Sequence, residues 1–247
     1  MRILFTNDDG YDSEGLHAVA CLFKDEYEIA VVAPIAQKSG FSHSLTLGPQ
    51  VLCAKKIDGY DYDVYAVDGT PVDCVKFARN CVFKKPDVVV SGINNGQNLG
   101  SDIMYSGTVS AAVDAAHSGL RAFALSLLTS KDTVADFKDF ARFFKNNFKK
   151  FMSIELPPKS LININYPNAV PIGIKTVRMN TQETFIDSYD KTADGVYLPS
   201  GYRDYTNLDR DTDEWYCRNG YITVTPLVID RTDYKTLDEM RGTEFEL

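Results

Sequence analysis

Two adjacent carboxylates stand at the end of an apolar segment near the start of the chain. Asp8 and Asp9 follow the run Ile3-Leu4-Phe5 and precede Gly10. Neighbouring ionised carboxylates repel each other and resist losing their water, and a cation bound between them removes both costs. We therefore expect a divalent metal here, at the end of a buried strand. The alternative is a surface turn, because Asn, Asp and Gly favour turns for purely local reasons.

Two later segments carry similar polar chemistry, each directly after a predicted strand. The polar segment 35–44 follows a strand that ends at Ala33. The segment 92–100 follows a strand that ends at Ser91, and it is too rich in Gly and Asn for any regular element. In a parallel sheet, loops that follow successive strands emerge at the same edge, where ligands bind. Carboxylate, hydroxyl and amide oxygens gathered there suit Mg²⁺ or Mn²⁺ better than metals that prefer thiolates.

A predicted helix begins at Ser106-Gly107-Thr108, just after the third of these segments. The start of a helix offers free backbone N–H groups and the positive end of the helix dipole, which together favour a phosphate. The alternative is an ordinary helix cap without a ligand. His43, in the second segment, is a candidate phosphate contact or proton donor.

The whole chain alternates between strand and helix patterns up to about Pro167. This alternation predicts a parallel sheet covered by helices on both faces, the α/β class. Beyond Pro167 the pattern becomes β-rich, and the segment 189–216 has little helical periodicity. The predicted strands are 2–6, 27–33, a β-type region at 45–67, 87–91, 121–127, 161–165, 173–179 and 221–228, and the predicted helices are 14–24, 70–83, 106–118 and 134–150.

Composition and charge limit the possible functions. The 247 residues are 44% apolar and 24% charged, which is usual for a globular protein, and the net charge of −8 argues against a partner of duplex nucleic acid. Five scattered cysteines without Cys-x-x-Cys spacing, and no signal peptide, indicate a reduced cytoplasmic protein. No apolar stretch is long enough to cross a membrane, so we expect no membrane partner.

Several sequence blocks, in order, carry a family resemblance over nearly the whole length. They are TNDDG (6–10), VVAP (31–34), SG…HSLTL (39–47), GTPVDCV (69–75), PDVVVSGINNGQNLG (86–100), YSGTVSAA (105–112), LININYP (161–167), TD (212–213) and GYITVTPL (220–227). With these blocks the chain resembles the SurE survival-protein family of metal-dependent nucleoside monophosphate phosphatases.

The resemblance implies a Rossmann-like three-layer α/β/α sandwich with a mostly parallel sheet. It implies a catalytic core at 1–167 and a β-rich extension at 168–247, which would join the subunits of a homodimer or homotetramer. The implied activity is hydrolysis of nucleoside monophosphates as a 5′-nucleotidase, with possible 3′-nucleotidase and exopolyphosphatase activity. One divalent cation per subunit, Mg²⁺ or Mn²⁺, is the implied cofactor.

The resemblance also assigns roles to individual positions, and each assignment is an expectation. Asp8 would lie nearest the chemistry, as general base or as nucleophile. The implied metal ligands are Asp8, Asp9, Ser39 and Asn94; the catalytic residues are Asp8, Asn98 and Ser106; and the substrate contacts are Gly40, His43, Ser106, Gly107 and Thr108.

Three other readings remain open. Haloacid-dehalogenase phosphatases also place an aspartate after their first strand, but they need a second acid two residues later, where this chain has Gly10. Receiver domains carry an acidic pair that binds Mg²⁺, but they are about half this length and need an aspartate at the end of a central strand, where this chain has Ser91. The third is a nucleotide-binding protein without turnover.

Overall fold

A nine-stranded, mostly parallel sheet forms the centre of the molecule, in a computed structural model that describes residues 1–129 and 136–243. The spatial order of the strands is β3-β4-β2-β1-β5-β6-β7-β11-β8. These strands are β1 (Arg2–Thr6), β2 (Glu28–Pro34), β3 (Ala54–Ile57), β4 (Asp63–Val67), β5 (Val88–Asn95), β6 (Arg121–Leu127), β7 (Ser160–Tyr166), β8 (Gly173–Thr176) and β11 (Tyr221–Val228).

Four helices cover the two faces of the sheet and complete the three layers. On one face, α1 (Glu14–Ala20) and α4 (Phe137–Ser153) enclose a core rich in phenylalanine. On the other face, α2 (Pro71–Phe77) and α3 (Gly107–His117) pack through alanine and valine. The predicted α/β/α sandwich is therefore confirmed. None of the described helices is long and apolar enough to cross a membrane.

The strand order reverses between β1 and β5, and this reversal positions the candidate site. From β1 the chain proceeds to β2 and β4 on one side, and it then returns to pair β5 with the other side of β1. Both neighbours of β1 run parallel to it. The loops after β1 and β5 therefore leave the same edge and diverge, which opens a crevice where open α/β sheets bind their ligands.

The residues after Pro167 are divided between the main sheet and a projecting hairpin. β11 pairs antiparallel with β7 and parallel with β8, so both strands extend the nine-stranded sheet. β9 (Phe185–Ala193) and β10 (Val196–Arg203) form a separate antiparallel hairpin that is largely exposed. Two short helices, α5 (Asp213–Arg218) and α6 (Tyr234–Met240), complete this part of the chain.

Local features explain where several predicted elements begin and end. The predicted start of α2 is correct: Thr70 and Asp73 form a reciprocal capping box, with Pro71 at the first helical position. α1 is shorter than predicted and ends at Ala20, and the β-type region begins only at Ala54. Positions 134 and 135 of the predicted fourth helix lie outside the described residues.

The prediction that 92–100 contains no regular element is wrong. β5 continues through Gly92 to Asn95 with an irregularity between Ser91 and Asn94, because β6 supplies partners for Asn94 and Asn95. A 3₁₀ turn then spans Gly100–Met104. The segment 189–216, expected to be β-rich with little helical periodicity, contains most of the hairpin, and only its last residues belong to α5. Pairing in the sheet outweighs the low strand propensity of Gly and Asn.

Asp213 connects the C-terminal part of the chain to the segment 96–106 between β5 and α3, which we call the third loop. Its carboxylate is fully buried and accepts hydrogen bonds from the backbone N–H groups of Gly100 (3.0 Å), Asn180 (2.8 Å) and Glu214 (2.8 Å). Burial nevertheless raises the pKa of Asp213 to about 6, from an ordinary value of 3.8. The folded protein therefore binds a proton here at a higher pH than the unfolded chain does.

We predict a contribution of Asp213 to the pH dependence of stability. Since its folded pKa is the higher one, stability rises as the pH falls from 7 to 5, by about 1 kcal/mol from this group. Asp8, whose pKa is also raised to about 6, adds a contribution of the same sign. Urea unfolding of wild type and Asp213→Asn at pH 7 and pH 5 gives the slope of the unfolding free energy against pH, which should differ between the two proteins. Equal slopes in the two proteins would contradict the prediction.

Candidate active site

A cleft of about 440 Å³ lies at the crevice between β1 and β5. Its walls include Asp9 from the loop after β1, Gln37 from the loop after β2 and Asn95 from the end of β5. Gly15 and Phe137 contribute from α1 and the start of α4. The three polar segments identified in the sequence therefore contribute to one cleft, at the edge of the sheet where the topology predicts it.

Asp8 is held against the start of α3 and is almost completely buried, with 3% of its surface exposed. Its Oδ1 accepts a hydrogen bond from the hydroxyl of Thr108. Its backbone carbonyl accepts a 2.7 Å hydrogen bond from the N–H of Lys38. This bond fixes the loop after β2 (the second loop) beside the loop after β1 (the first loop). Burial raises the pKa of Asp8 to about 6, helped by repulsion from Asp9 and opposed by the Thr108 hydrogen bond.

Asp9 reaches the end of β5. Its Oδ2 accepts a 3.0 Å hydrogen bond from the backbone N–H of Asn95, and burial raises the pKa of Asp9. Neither Asp8 nor Asp9 forms an ion pair with a Lys, Arg or His side chain in the part of the chain that the structure describes. Two partly desolvated carboxylates without a positive partner favour a cation between them.

The other two expected metal ligands, Ser39 and Asn94, each adjoin in sequence a residue that contacts this pair, Lys38 and Asn95. The amide nitrogen of Asn94 donates to the carbonyl of Gly96 (2.9 Å), so the amide oxygen is the atom left for a ligand. Ser39 is exposed, and its hydroxyl accepts from the Gln37 amide (3.0 Å) at the wall of the cleft. No cluster of three His, Cys, Asp or Glu side chains able to hold a metal occurs within 1–129 and 136–243. A metal here would need oxygen ligands such as those of Ser39 and Asn94, or water.

The start of α3 lies directly against Asp8. Ser106 caps the helix, since its Oγ accepts the N–H of Val109 (3.0 Å), and its own hydroxyl hydrogen remains free to donate. The N–H groups of Gly107 and Thr108 belong to the first turn, where a helix supplies no internal partner. Because the Thr108 hydroxyl hydrogen is directed at Asp8, this side chain orients the carboxylate, and its N–H is the donor left for a ligand.

Asn98 is held by several buried partners, which fixes the third loop. Its N–H donates to Asn165 (2.9 Å), and its carbonyl accepts from the amides of Asn163 (2.9 Å) and Asn165 (3.0 Å). Its side-chain amide nitrogen donates to Ser126 (2.7 Å). These contacts give Asn98 a structural part in shaping the loop, and the catalytic role expected from the sequence stays a prediction.

Gly40 and His43 lie farther along the second loop. Both are exposed, and Gly40 has a positive φ of 76° with open space around it. Burial lowers the pKa of His43, and the nearby charges that act on it include those of Asp114 and Lys76, on α3 and α2. The described contacts do not bring His43 to Asp8, so its expected substrate contact, like that of Gly40, stays a prediction.

The sequence reasoning missed the residues that hold the loops of the site in position and are not themselves candidate ligands. These are Lys38 and Asn95, through their N–H groups, and Asn163 and Asn165, through their side-chain amides. One signal was present: Asn163 and Asn165 alternate with apolar residues in LININ, which places two amides on one face of a buried strand. Such amides need hydrogen-bond partners.

We predict that Gly107→Ala displaces Asp8. A Cβ at position 107 would stand 2.8 Å from the Asp8 Cβ and 2.9 Å from its Oδ2, so the carboxylate or the helix start must move. The expected result is a folded protein whose affinity for Mn²⁺, measured by calorimetric titration, falls at least tenfold. Gly242→Ala is the matched control, because a Cβ there meets nothing nearer than 3.9 Å. Wild-type affinity in Gly107→Ala would contradict the prediction.

Comparison with known proteins agrees with this architecture. The model of the family described as "Survival protein SurE" matches residues 3–186. A protein named "5′-nucleotidase SurE" from Thermoanaerobacter sp. (strain X514) is 37% identical over 256 residues, covering all of both chains. One of the same name from Legionella pneumophila is 37% identical over 97% of this chain and 96% of its own.

A solved structure extends the agreement to three dimensions. The crystal structure of the SurE protein from Aquifex aeolicus superposes with a TM-score of 0.84 at 35% identity, covering 98% of each chain. The match spans both the sandwich and the C-terminal part that follows it. The resemblance drawn from the sequence blocks is therefore confirmed, and the chain belongs to the SurE family.

Proposed function

We propose that this protein is a metal-dependent 5′-nucleotidase, which hydrolyses nucleoside monophosphates to nucleoside and phosphate in the cytoplasm. The observation that carries the proposal is the contact between the buried Asp8 carboxylate and the start of α3. It puts a cation-binding group beside a row of anion-binding N–H groups, which is what a phosphate monoester with a metal requires. The names of the relatives support the same activity.

The proposed cofactor is one divalent cation per subunit, Mg²⁺ or Mn²⁺, with Asp8, Asp9, Ser39 and Asn94 as its protein ligands. The donor set fits such an ion, because it consists of hard oxygen atoms and includes the buried Asp8 and half-buried Asp9 carboxylates, which have no ion-pair partners among the described residues. When bound, the cation would neutralise charge on the phosphate oxygens and lower the pKa of a coordinated water.

The chain's own groups would bind and orient the phosphate. The N–H groups of Gly107 and Thr108 and the hydroxyl of Ser106 would donate to the phosphate oxygens, and donors fixed in advance at a helix start need no rearrangement as charge develops. Thr108 holds Asp8 in one rotamer through its hydroxyl. Asp8 would then act as general base toward water or as the nucleophile itself. We include 3′-nucleotidase and exopolyphosphatase activities of the same site in the proposal.

We predict that phosphate release from AMP requires both the cation and the buried carboxylate. Protein stripped with a chelator should be inactive and should recover with Mn²⁺ or Mg²⁺, while Asp8→Asn should lose at least about 100-fold in kcat. Mn²⁺ should raise the Tm of wild type and leave that of Asp8→Asn unchanged. Asp58→Asn, at an exposed turn, is the control. Full activity of the chelated protein or of Asp8→Asn would exclude the proposed mechanism.

We also propose that residues 168–247 join subunits into a homodimer or homotetramer, with 1–167 as the catalytic core. A two-stranded hairpin has little stability of its own, and this one exposes a group of large apolar side chains. They are Ile186 (40% exposed), Tyr189 (66%), Tyr197 (56%), Leu198 (58%) and Tyr202 (64%).

The assembly is tested by replacing Tyr189, Tyr197 and Leu198 together with serine and measuring mass by light scattering. We expect the wild type to be oligomeric and the variant to dissociate, because the burial of these side chains would hold the subunits together. Val51→Ser with Val170→Ser, at 83% and 87% exposure outside the hairpin, is the matched control. A monomeric wild type would exclude the proposal.

A further inference from the structure

A second cavity, of about 530 Å³, lies between the start of α3 and the base of the hairpin. We call it the hairpin pocket; its walls include Met104, Tyr105, Glu183, Phe185, Asp187 and Arg203. Its volume falls within the range of pockets that hold small molecules. Tyr105 directly precedes Ser106, so the pocket begins where the proposed phosphate site ends.

The aromatic wall of the hairpin pocket is fixed before any ligand arrives. Arg203 donates to both carboxylate oxygens of Asp102 at 2.9 Å, and its guanidinium lies 5.3 Å from the centre of the Phe185 ring. The ring lies over Gly201, where an added Cβ would come within 2.6 Å of it. Phe185 therefore has a defined position, yet 36% of it remains exposed.

Tyr105 provides a second aromatic surface next to the phosphate site. Its N–H donates to the carbonyl of Asp102 (3.0 Å), and its carbonyl accepts from the N–H of Ser42 (3.1 Å), so its backbone is held from both sides. Its side chain is 62% exposed although it belongs to a well-anchored segment. An exposed ring on a fixed backbone is suited to stacking against a planar ligand.

The charges of the pocket select the kind of ligand. Arg203 is paired with Asp102, whereas Glu183 and Asp187 form no ion pair within the described residues. Two unpaired carboxylates disfavour a second phosphate and favour neutral groups that carry O–H or N–H donors. The ribose hydroxyls and the base of a nucleotide have this chemistry.

We infer that the hairpin pocket binds the ribose and base of the substrate while the phosphate lies at the start of α3, with Tyr105 and Phe185 contacting the base. This inference rests on the proposed function and deepens it: the hairpin pocket makes the site a nucleotidase rather than a general phosphatase. Ribose 5-phosphate, which has the same ester without a base, is the substrate that separates the two.

The test compares kcat/KM for AMP and ribose 5-phosphate in wild type, Tyr105→Leu and Phe185→Leu. Stacking on an aromatic side chain corresponds to about 5- to 150-fold in affinity. The wild type should therefore favour AMP by at least about tenfold, mainly through KM. In each variant the KM for AMP should rise at least about fivefold, and the KM for ribose 5-phosphate should stay within about twofold of the wild-type value. Adenosine should inhibit the wild type competitively, and inhibit the variants more weakly.

Tyr60→Leu is the matched control, because Tyr60 has the same exposed fraction as Phe185 (36%) and lies between β3 and β4, outside both the hairpin and the walls of the hairpin pocket. This variant should leave kcat/KM for both substrates unchanged. Equal kcat/KM for AMP and ribose 5-phosphate in wild type would overturn the inference and leave the proposed function intact. An equal fall of kcat/KM for both substrates in Tyr105→Leu and Phe185→Leu would also overturn it. A wild type inactive on every ester would instead contradict the proposed function.

Discussion

The loss of water around the adjacent carboxylates of Asp8 and Asp9 is the constraint around which the rest of the site is built. Burial raises the pKa of both carboxylates, and no positive side chain of the described residues compensates them. Such an arrangement costs folding free energy, and it persists only where the surrounding structure over-determines it. Here the Thr108 hydroxyl, the Asn95 N–H and the close backbone of Gly107 hold the pair from three sides. The proposed cation would convert this cost into binding affinity.

The third loop is held in place by contacts from other elements. A sequence of glycines and asparagines has little stiffness of its own. β6 pairs with Asn94 and Asn95, β7 binds Asn98 through two asparagines, and Asp213 accepts the N–H of Gly100. Each contact comes from a segment distant in sequence. The position of a proposed metal ligand such as Asn94 is therefore a property of the whole sheet and of the C-terminal residues attached to it.

This dependence explains how far the sequence could predict the structure. Features set by local chemistry were predictable: the capping box at Thr70 and Asp73 marks the start of α2, and the β-branched run at 221–228 forms β11. The continuation of β5 through Gly92 was not predictable, because its strand partners lie in β6 and the local propensity of Gly and Asn disfavours a strand.

The candidate site shows the same division. Residue types and strand ends were enough to predict that Asp8, Asp9 and the start of α3 lie at one edge of the sheet. The close approach of Gly107 to Asp8 and the hydrogen bond from Lys38 depend on distances between elements, which no local pattern encodes. Sequence reasoning therefore finds the chemistry more readily than the groups that position it.

A continuous set of hydrogen bonds joins α5, the third loop and the hairpin. Arg218 donates to Gln97 (2.7 Å), and Gln97 in turn donates to Asp102 (2.9 Å), which binds Arg203 at the end of β10. Gln97 and Asp102 both lie between β5, which carries Asn94, and α3, which begins at Ser106. A shift of the hairpin must therefore either break the Asp102–Arg203 pair or carry the third loop with it. Because that loop connects the proposed metal ligand Asn94 to the proposed phosphate site at Ser106, the geometry of the site and the position of the hairpin are set together.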